Sequence, residues 1–175
     1  MAYSAKLDFE GCAGTDKLSP ESFAGKAVLV VNTASKCGLT PQLKEMQLVH
    51  KRFKAQGLIV LGVPCNDFGG QEPWEEQKIM DFYKSKYGVT FPLAAKVHVR
   101  GPNAHPLYAA LRKDLGEDAL PQWNFHKFLF SGHGDLLGVF GHIIPPTDVE
   151  VSEAIEEALA ELEMGTANSS NADGQ

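Results

Sequence analysis

Cys37 is the residue of this sequence whose surroundings best suit it to nucleophilic chemistry. It follows the apolar run Ala27–Val31, which is typical of a strand buried on both faces of a sheet. Thr40 and Pro41 follow, and they are a typical N-cap and first residue of a helix. We therefore predict that Cys37 lies in a loop between a buried strand and a helix. Free backbone amides and the positive end of the helix dipole favour the thiolate there, and the thiolate is the reactive form.

The chemistry open to Cys37 depends on its exposure and on its lack of a partner thiol. A free cysteine is also commonly a small buried hydrophobic residue, so position alone leaves both interpretations open. Dithiol exchange uses the spacing Cys-x-x-Cys, but Thr40 occupies the second place here. A lone thiolate is better suited to attack a single electrophile, such as a peroxide oxygen. The product is a sulfenic acid, which a thiol then reduces.

The segments on either side of Cys37 predict a β-α-β unit. Apolar residues recur every three or four positions from Pro41 to about Ala55, which indicates a helix. A second buried strand is predicted at Leu58–Leu61, and the long glycine-rich loop Gly62–Pro73 follows it. The carboxyl ends of parallel strands meet at one sheet edge, where ligand and catalytic groups gather. We therefore expect this loop and the Cys37 loop to converge.

The rest of the chain predicts an α/β protein with a thioredoxin-like fold, in which helices flank a mixed central sheet. The further predicted elements are strands at 4–10 and near 91–93, helices at 73–87, 106–115 and 149–164, and an antiparallel hairpin of strands at 122–130 and 136–140. We expect one domain over residues 1–164 and a disordered C-terminal tail over residues 165–175.

Composition excludes several classes of protein. The 175 residues carry a net charge of −6, which argues against nucleic acid as a main partner. Three cysteines make no disulfide framework and suit a reducing compartment. We see no signal peptide and no segment of the roughly 20 apolar residues that a membrane helix needs, so we expect a cytoplasmic protein without integral membrane association. The histidines lack metal-ligand spacing, so no metal or other cofactor is expected, although a Cys–His pair formed through space stays open.

Four segments resemble those of the glutathione peroxidase family in its cysteine-containing form. They are Asn32–Thr40, Pro64–Pro73, Gly101–Tyr108 and Trp123–Leu129. Any one of them alone is a weak signal, but all four occur in the order that the family has. The resemblance covers about residues 32 to 130.

The resemblance implies a catalytic set of four residues: Cys37, Gln71, Trp123 and Asn124. Cys37 is the peroxidatic nucleophile, and it stands where some relatives have selenocysteine, so no selenium is expected. The side-chain amides of Gln71 and Asn124 and the indole N–H of Trp123 can donate hydrogen bonds to the thiolate and to the leaving oxygen. Without the family pattern, we would assign Trp123 to packing and the two amides to turn or loop chemistry.

The sequence departs from the family pattern at two positions beside Gln71. Asp67 stands where the family usually has glutamine, and Trp74 stands where it often has glycine. Neither belongs to the implied catalytic set, but both can alter access of the peroxide to the site.

The resolving cysteine of many non-animal relatives is absent from the helix after the second segment. Those relatives use thioredoxin as the reductant, whereas residues 74–85 of this chain contain no cysteine. Cys12 and Cys65 are possible resolving residues, although burial at a strand end would make Cys65 inert. We therefore hypothesise single-thiol turnover with glutathione or another small thiol, and thioredoxin remains the alternative reductant.

The resemblance implies a thiol-dependent peroxidase that reduces hydrogen peroxide and organic or lipid hydroperoxides. A thiol-based peroxide sensor or relay uses the same residues and remains an alternative, as does a non-catalytic thioredoxin-like binding module with an unreactive Cys37. The stretch between Tyr108 and Trp123 is short and lacks the insertion that builds a tetramer interface in some relatives. We therefore expect a monomer or weak dimer with an open site.

Overall fold

A four-stranded mixed sheet forms the centre of the computed structural model, which describes residues 2–172. The strands are β1 (Ala27–Thr33), β2 (Leu58–Pro64), β3 (Lys127–Phe130) and β4 (Leu136–Phe140), in the spatial order β2-β1-β3-β4. β1 runs parallel to β2 and antiparallel to β3, and β3 and β4 form the antiparallel hairpin that the sequence predicted. The predicted mixed sheet is confirmed.

Helices lie on both faces of the sheet. They are α1 (Pro20–Phe23), α2 (Gln42–Phe53), α3 (Glu76–Tyr87), α4 (Pro106–Leu115) and α5 (Val149–Ala172). Apolar residues of α2, α3 and α5 pack on one face, whereas those of α4 and of the N-terminal segment pack on the other. This is the thioredoxin-like arrangement expected from the order of the elements.

All residues of β1 are buried, because successive side chains enter two different cores. Leu29 and Val31 belong to the core beneath α2, and Val28 and Val30 belong to the core beneath α4. Alternation across the strand explains why its sequence is an unbroken apolar run. The strand therefore has no exposed face, and the polar groups at its carboxyl end must find partners inside the protein.

Two predictions near the chain ends are wrong: the strand at 4–10 and the end of the last helix. The predicted strand at 4–10 is instead a 3-10 turn at Ser4–Lys6, because the buried Tyr3 and Leu7 are spaced for one helical turn and the residues between them are exposed. The C-terminal helix continues to Ala172, where a disordered tail was predicted from residue 165. Gly165 does not adopt the left-handed conformation that ends α3 at Gly88, so nothing stops the helix there.

Other predicted features are reduced in the structure or lie outside the residues that it describes. The short strand near 91–93 is reduced to single bridges, from Leu93 to Gly62 and from Ala94 to Gly11. The predicted residues 173–175 of the tail lie outside the described residues, and the assignment of residues 1–164 to one domain stays a prediction. Among residues 2–172, no helix combines the length and the apolar character needed to cross a membrane.

Lys127 is a fully buried lysine on β3. Its Nζ donates to the carbonyl oxygens of Gly141 and His142, at 3.3 and 3.4 Å, which ties the loop after β4 to the sheet. Burial lowers the pKa of Lys127 to about 7, although Glu45 opposes this shift. A lysine in the unfolded chain keeps its proton up to a pKa of 10.5. Between these two values the unfolded chain binds more protons, so the free energy of unfolding should rise with pH.

We expect the Lys127→Met variant to lose this rise. The difference in free energy of unfolding between about pH 9.5 and pH 7 should be smaller in the variant than in the parent, by at most about 1.4 kcal/mol per pH unit. Urea unfolding at the two pH values measures it. Lys44→Met, which changes an exposed lysine of α2, is the control and should retain the parent's pH dependence. Equal pH dependence in the parent and the Lys127→Met variant would contradict the prediction.

Candidate active site

Cys37 lies where the sequence predicted it, in the loop between β1 and α2, and its side chain is partly exposed. The amide of Leu39 donates to Cys37 Sγ at 3.3 Å, so the sulfur accepts a backbone hydrogen bond at the start of the helical turn. The structure thus supplies a partly open, hydrogen-bonded thiol. Both features fit a reactive cysteine better than a packed one.

Thr40 does not cap α2 as predicted, because the helix begins at Gln42 and has no side-chain cap. Its hydroxyl turns into the Cys37 loop instead. Oγ1 accepts from the Cys37 amide at 3.0 Å and donates to the Ala34 carbonyl at 2.8 Å. Thr40 therefore holds the loop closed around Cys37. The place that a second cysteine would take is filled by a residue with a structural role.

A buried carboxylate, Glu72, anchors the same loop from the other side. Its Oε2 accepts from the Ser35 hydroxyl at 2.8 Å and from the Tyr83 hydroxyl at 2.6 Å. Tyr83 lies on α3 and also contacts Thr33 Oγ1 at 3.0 Å. Burial raises the pKa of the Glu72 carboxyl, while the hydrogen bonds from Tyr83 and Ser35 oppose the rise. Glu72 therefore links the end of β1, the Cys37 loop and α3.

The loop after β2 brings Gln71 beside the Cys37 loop. Gly69 and Gly70 both have positive φ, near 60°, a conformation that most residues adopt only with strain. The Cβ of any other residue at Gly69 would lie 3.2 Å from the Trp123 ring and 3.4 Å from the Gln71 side chain. The amide of Lys36 donates to the Gln71 carbonyl at 3.0 Å, which joins the two loops directly.

Asn32, near the end of β1, holds the segment that carries Trp123 and Asn124. Its Nδ2 donates to the Trp123 carbonyl at 3.0 Å, and its Oδ1 accepts from the His126 amide at 3.1 Å. Its backbone carbonyl accepts from the Phe125 amide at 2.7 Å. Phe125 has a φ of +69°, which is rare and costly for a bulky residue. The hydrogen bonds of Asn32 keep this turn in place.

The structure brings three of the four predicted residues together. Asn124 Nδ2 donates to Gln71 Oε1 at 2.9 Å, and Trp123 lies against the turn that precedes Gln71. With Oε1 engaged in this way, Gln71 Nε2 has no partner within residues 2–172, and the Trp123 indole N–H also has none there. Two donors are therefore available to a bound oxygen. Cys37 is linked to them through the Lys36–Gln71 backbone contact rather than by a side-chain hydrogen bond.

The other two thiols are fully buried. Burial, with help from the charges of Glu76 and Glu72, raises the pKa of Cys12 to about 11. Burial likewise raises the pKa of Cys65 to about 12. Cys65 packs in the core beneath α4, whereas Cys37 packs against the opposite core, beneath α2. Both Cys12 and Cys65 are therefore protonated at neutral pH and shielded from reagents in this conformation.

Asp67, where the family usually has glutamine, is a loop anchor. Its Oδ2 accepts from the backbone amides of Val99 and Arg100, and its Oδ1 lies 2.6 Å from His98 Nδ1. Burial raises the pKa of Asp67, but these hydrogen bonds outweigh it and the net shift is downward.

No histidine in the described part of the chain hydrogen-bonds Cys37, and no group of three or more metal-binding side chains occurs there.

Three parts of the site were not predicted from the sequence: Asn32, Glu72 and Tyr83. Asn32 and Glu72 lie inside the two segments that resemble the family, so the signal was present without a role attached to it. Tyr83 lies in the helix predicted at 73–87, to which no functional residue was assigned. Its role depends on a partner eleven residues away, Glu72, which helical spacing does not indicate.

We expect Asn32→Ala to destabilise the fold, because it leaves the His126 amide and the Trp123 carbonyl without their partner. The free energy of unfolding should fall by about 2–6 kcal/mol, since each of the two unsatisfied groups costs about 1–3 kcal/mol. Urea unfolding measures the change. The exposed Asn103 is the matched control, and Asn103→Ala should change stability by less than about 0.5 kcal/mol. Similar losses in both variants would contradict the anchoring role.

The sequence of this chain is similar to those of known peroxidases and hydroperoxide reductases. The family described as "Glutathione peroxidase" matches residues 6–112. Hydroperoxy fatty acid reductase Gpx2 of Synechocystis sp. is 48% identical over 142 residues, which are 81% of this chain and 90% of that protein. Glutathione peroxidase-like peroxiredoxin gpx1 of Schizosaccharomyces pombe is 46% identical over 129 residues, or 72% of this chain and 81% of that protein.

A solved structure agrees with the fold. The crystal structure of Trgpx in its apo form superposes with a TM-score of 0.70 at 34% sequence identity. The match covers 90% of this chain and 95% of that one. The similarity therefore extends over nearly the whole described chain rather than over the segment around Cys37 alone.

Proposed function

This chain belongs to the glutathione peroxidase family and is a thiol-dependent hydroperoxide reductase, and we propose that Cys37 is the residue that the peroxide oxidises. The observation that supports this assignment most strongly is the hydrogen bond from Asn124 Nδ2 to Gln71 Oε1. Within residues 2–172 this arrangement leaves Gln71 Nε2 without a partner, and the Trp123 indole N–H has none there either. Donors held in place before the reaction stabilise charge as it develops on oxygen. In this proposal Cys37, Gln71, Trp123 and Asn124 form the catalytic set.

The proposed reaction proceeds in two stages. The Cys37 thiolate attacks one oxygen of the hydroperoxide, and an S–O bond forms as the O–O bond breaks. The departing alkoxide, or hydroxide from hydrogen peroxide, takes up a proton and leaves as the alcohol or as water. Cys37, oxidised by two electrons, is now a sulfenic acid. A thiol then displaces water from the sulfenic acid to form a mixed disulfide, and a second thiol releases Cys37 and forms the external disulfide.

We propose that the reducing thiol is glutathione or another small thiol rather than an internal cysteine. The burial of Cys12 and Cys65 and their raised pKa values support this, because neither presents a thiolate to Cys37. A monomer or weak dimer and a cytoplasmic location complete the proposal. Their support is the short stretch before Trp123 and the three free cysteines, which suit a reducing compartment.

A single-turnover experiment tests the role of Cys37. One equivalent of hydrogen peroxide or cumene hydroperoxide should add one oxygen atom to the parent protein, at Cys37 by peptide mass, and glutathione should remove it. Cys37→Ser should not react, whereas Cys65→Ser should react as the parent does. A disulfide from Cys37 to Cys12 or Cys65 would overturn single-thiol turnover and favour thioredoxin. Oxidised Cys37 that small thiols do not reduce would instead indicate a sensor or relay.

The hydrogen-bond donors are tested separately. We expect Gln71→Ala to lower the second-order rate constant for Cys37 oxidation about 100-fold or more, as removal of a transition-state donor does in other enzymes. Stopped-flow mixing with hydrogen peroxide measures it. Gln56 is exposed and distant from the loop in sequence, so Gln56→Ala should react at the parent rate. A Gln71→Ala variant that is folded and as fast as the parent would remove Gln71 from the catalytic set.

A further inference from the structure

Two lysine ammonium groups lie over the ring of Trp74, a residue that packs against the same core as Cys37. Lys36 Nζ lies 5.2 Å from the centroid of the indole, and Lys78 Nζ lies 4.3 Å from it. Lys36 is the immediate neighbour of Cys37 in the chain. Trp74, which stands where the family often has glycine, packs against the same core as Cys37, so the two charges belong to the region around the candidate site.

Trp74, Lys36 and Lys78 are each held by contacts with the rest of the structure. The Trp74 carbonyl accepts a hydrogen bond from Lys96 Nζ at 2.8 Å. The Trp74 ring packs edge-on against the Phe82 ring, with the two centroids 5.2 Å apart. The backbone of Lys36 is held by Gln71, and Lys78 lies in the first turns of α3. A cation over an indole is attracted by the negative face of the ring, so each ammonium group has a reason to stay there.

Within residues 2–172, neither Lys36 nor Lys78 forms an ion pair. The neighbouring carboxylates are engaged elsewhere: Glu76 accepts from the amides of Ala13 and Lys96, and Asp81 accepts from Gln77. Glu75, which is exposed and adjacent to Trp74, pairs with neither lysine. In a chain with a net charge of −6, this is a local positive site open to an anion.

The surroundings of the charges are apolar. Leu39, Trp74 and Phe82 are partly buried and pack on the same core as Cys37 itself. A ligand that reaches both the charges and Cys37 therefore meets hydrophobic side chains along the way. This combination fits an organic acid with an apolar chain better than a small inorganic anion.

We propose that Lys36, Trp74 and Lys78 form a carboxylate-binding subsite that selects hydroperoxides carrying an acid group on an apolar chain, such as a fatty-acid hydroperoxide. The two ammonium groups bind the carboxylate, and the indole packs against the adjoining chain. The hydroperoxide group of the same molecule then reaches Cys37. This inference rests on the proposed role of Cys37 and adds a preference among its substrates.

The test compares a fatty-acid hydroperoxide with its methyl ester, below the micelle concentration, in the full-length protein. The readout is the ratio of kcat/KM for the acid to kcat/KM for the ester. The parent should prefer the acid, and Lys78→Gln should reduce this ratio about two- to fivefold, as expected for loss of one exposed charge contact. Added salt should reduce the parent's ratio in the same direction, because it screens the charges.

Lys86→Gln is the matched control. Lys86 lies on the same helix and is also placed over aromatic rings, 5.7 Å from Phe82 and 5.9 Å from Tyr87. Its removal changes the net charge equally but takes no group from the subsite, so the ratio should stay at the parent value. If Lys86→Gln and Lys78→Gln reduced the ratio equally, the effect would be one of overall charge, and the subsite would be excluded.

Two further outcomes separate this inference from the proposed function. A parent enzyme that oxidises Cys37 with hydrogen peroxide but shows equal kcat/KM for acid and ester would overturn the subsite and leave the peroxidase intact. A Lys78→Gln variant that raises the KM for glutathione, with an unchanged acid-to-ester ratio, would assign the charges to the carboxylates of the reductant and overturn the subsite as proposed. Failure of Cys37 to react with any peroxide would instead remove the proposed function itself.

Discussion

The complete burial of β1 is the constraint on which the candidate site depends. A strand with no exposed face ends inside the protein, so the polar groups of Asn32, Thr33 and Ser35 need partners from other segments rather than water. Those partners are the turn that carries Trp123 and Asn124, the hydroxyl of Tyr83 and the carboxylate of Glu72. The hydrogen bonds required by burial therefore assemble the segments that surround Cys37.

Three residues near the carboxyl end of β1 are unfavourable for the stability of the fold. Glu72 is a buried acid, Lys127 is a buried base, and Phe125 has a backbone conformation that few bulky residues adopt. Each is held by neighbours that depend on the same sheet edge. Groups that lower the stability of the fold are common at functional sites, where they hold side chains in the arrangement that the chemistry needs.

The three cysteines show how environment divides one chemical group into different roles. Cys37 is partly exposed, and its sulfur accepts a hydrogen bond from a backbone amide. Cys12 and Cys65 lie in apolar cores, where burial raises the pKa of their thiols and keeps them protonated. The Trp74 ring and its two lysines are a further feature of the same region, outside the hydrogen-bond network. The region thus combines buried, hydrogen-bonded groups with exposed lysine side chains.

The sequence by itself determined the four strands of the sheet, the main helices and the position of Cys37 between β1 and α2, because strand burial, helical spacing and the hairpin turn are local patterns. It failed at the predicted strand at 4–10 and at the end of α5. It also indicated Gln71, Trp123 and Asn124, through resemblance to a family. Only the tertiary structure decided that Asn32 holds a turn 91 residues away, that Thr40 faces the Cys37 loop instead of capping a helix, and that Trp74 carries two lysines. Each of these depends on a partner distant in the chain or on the direction of one side chain, and neither periodicity nor propensity contains that information.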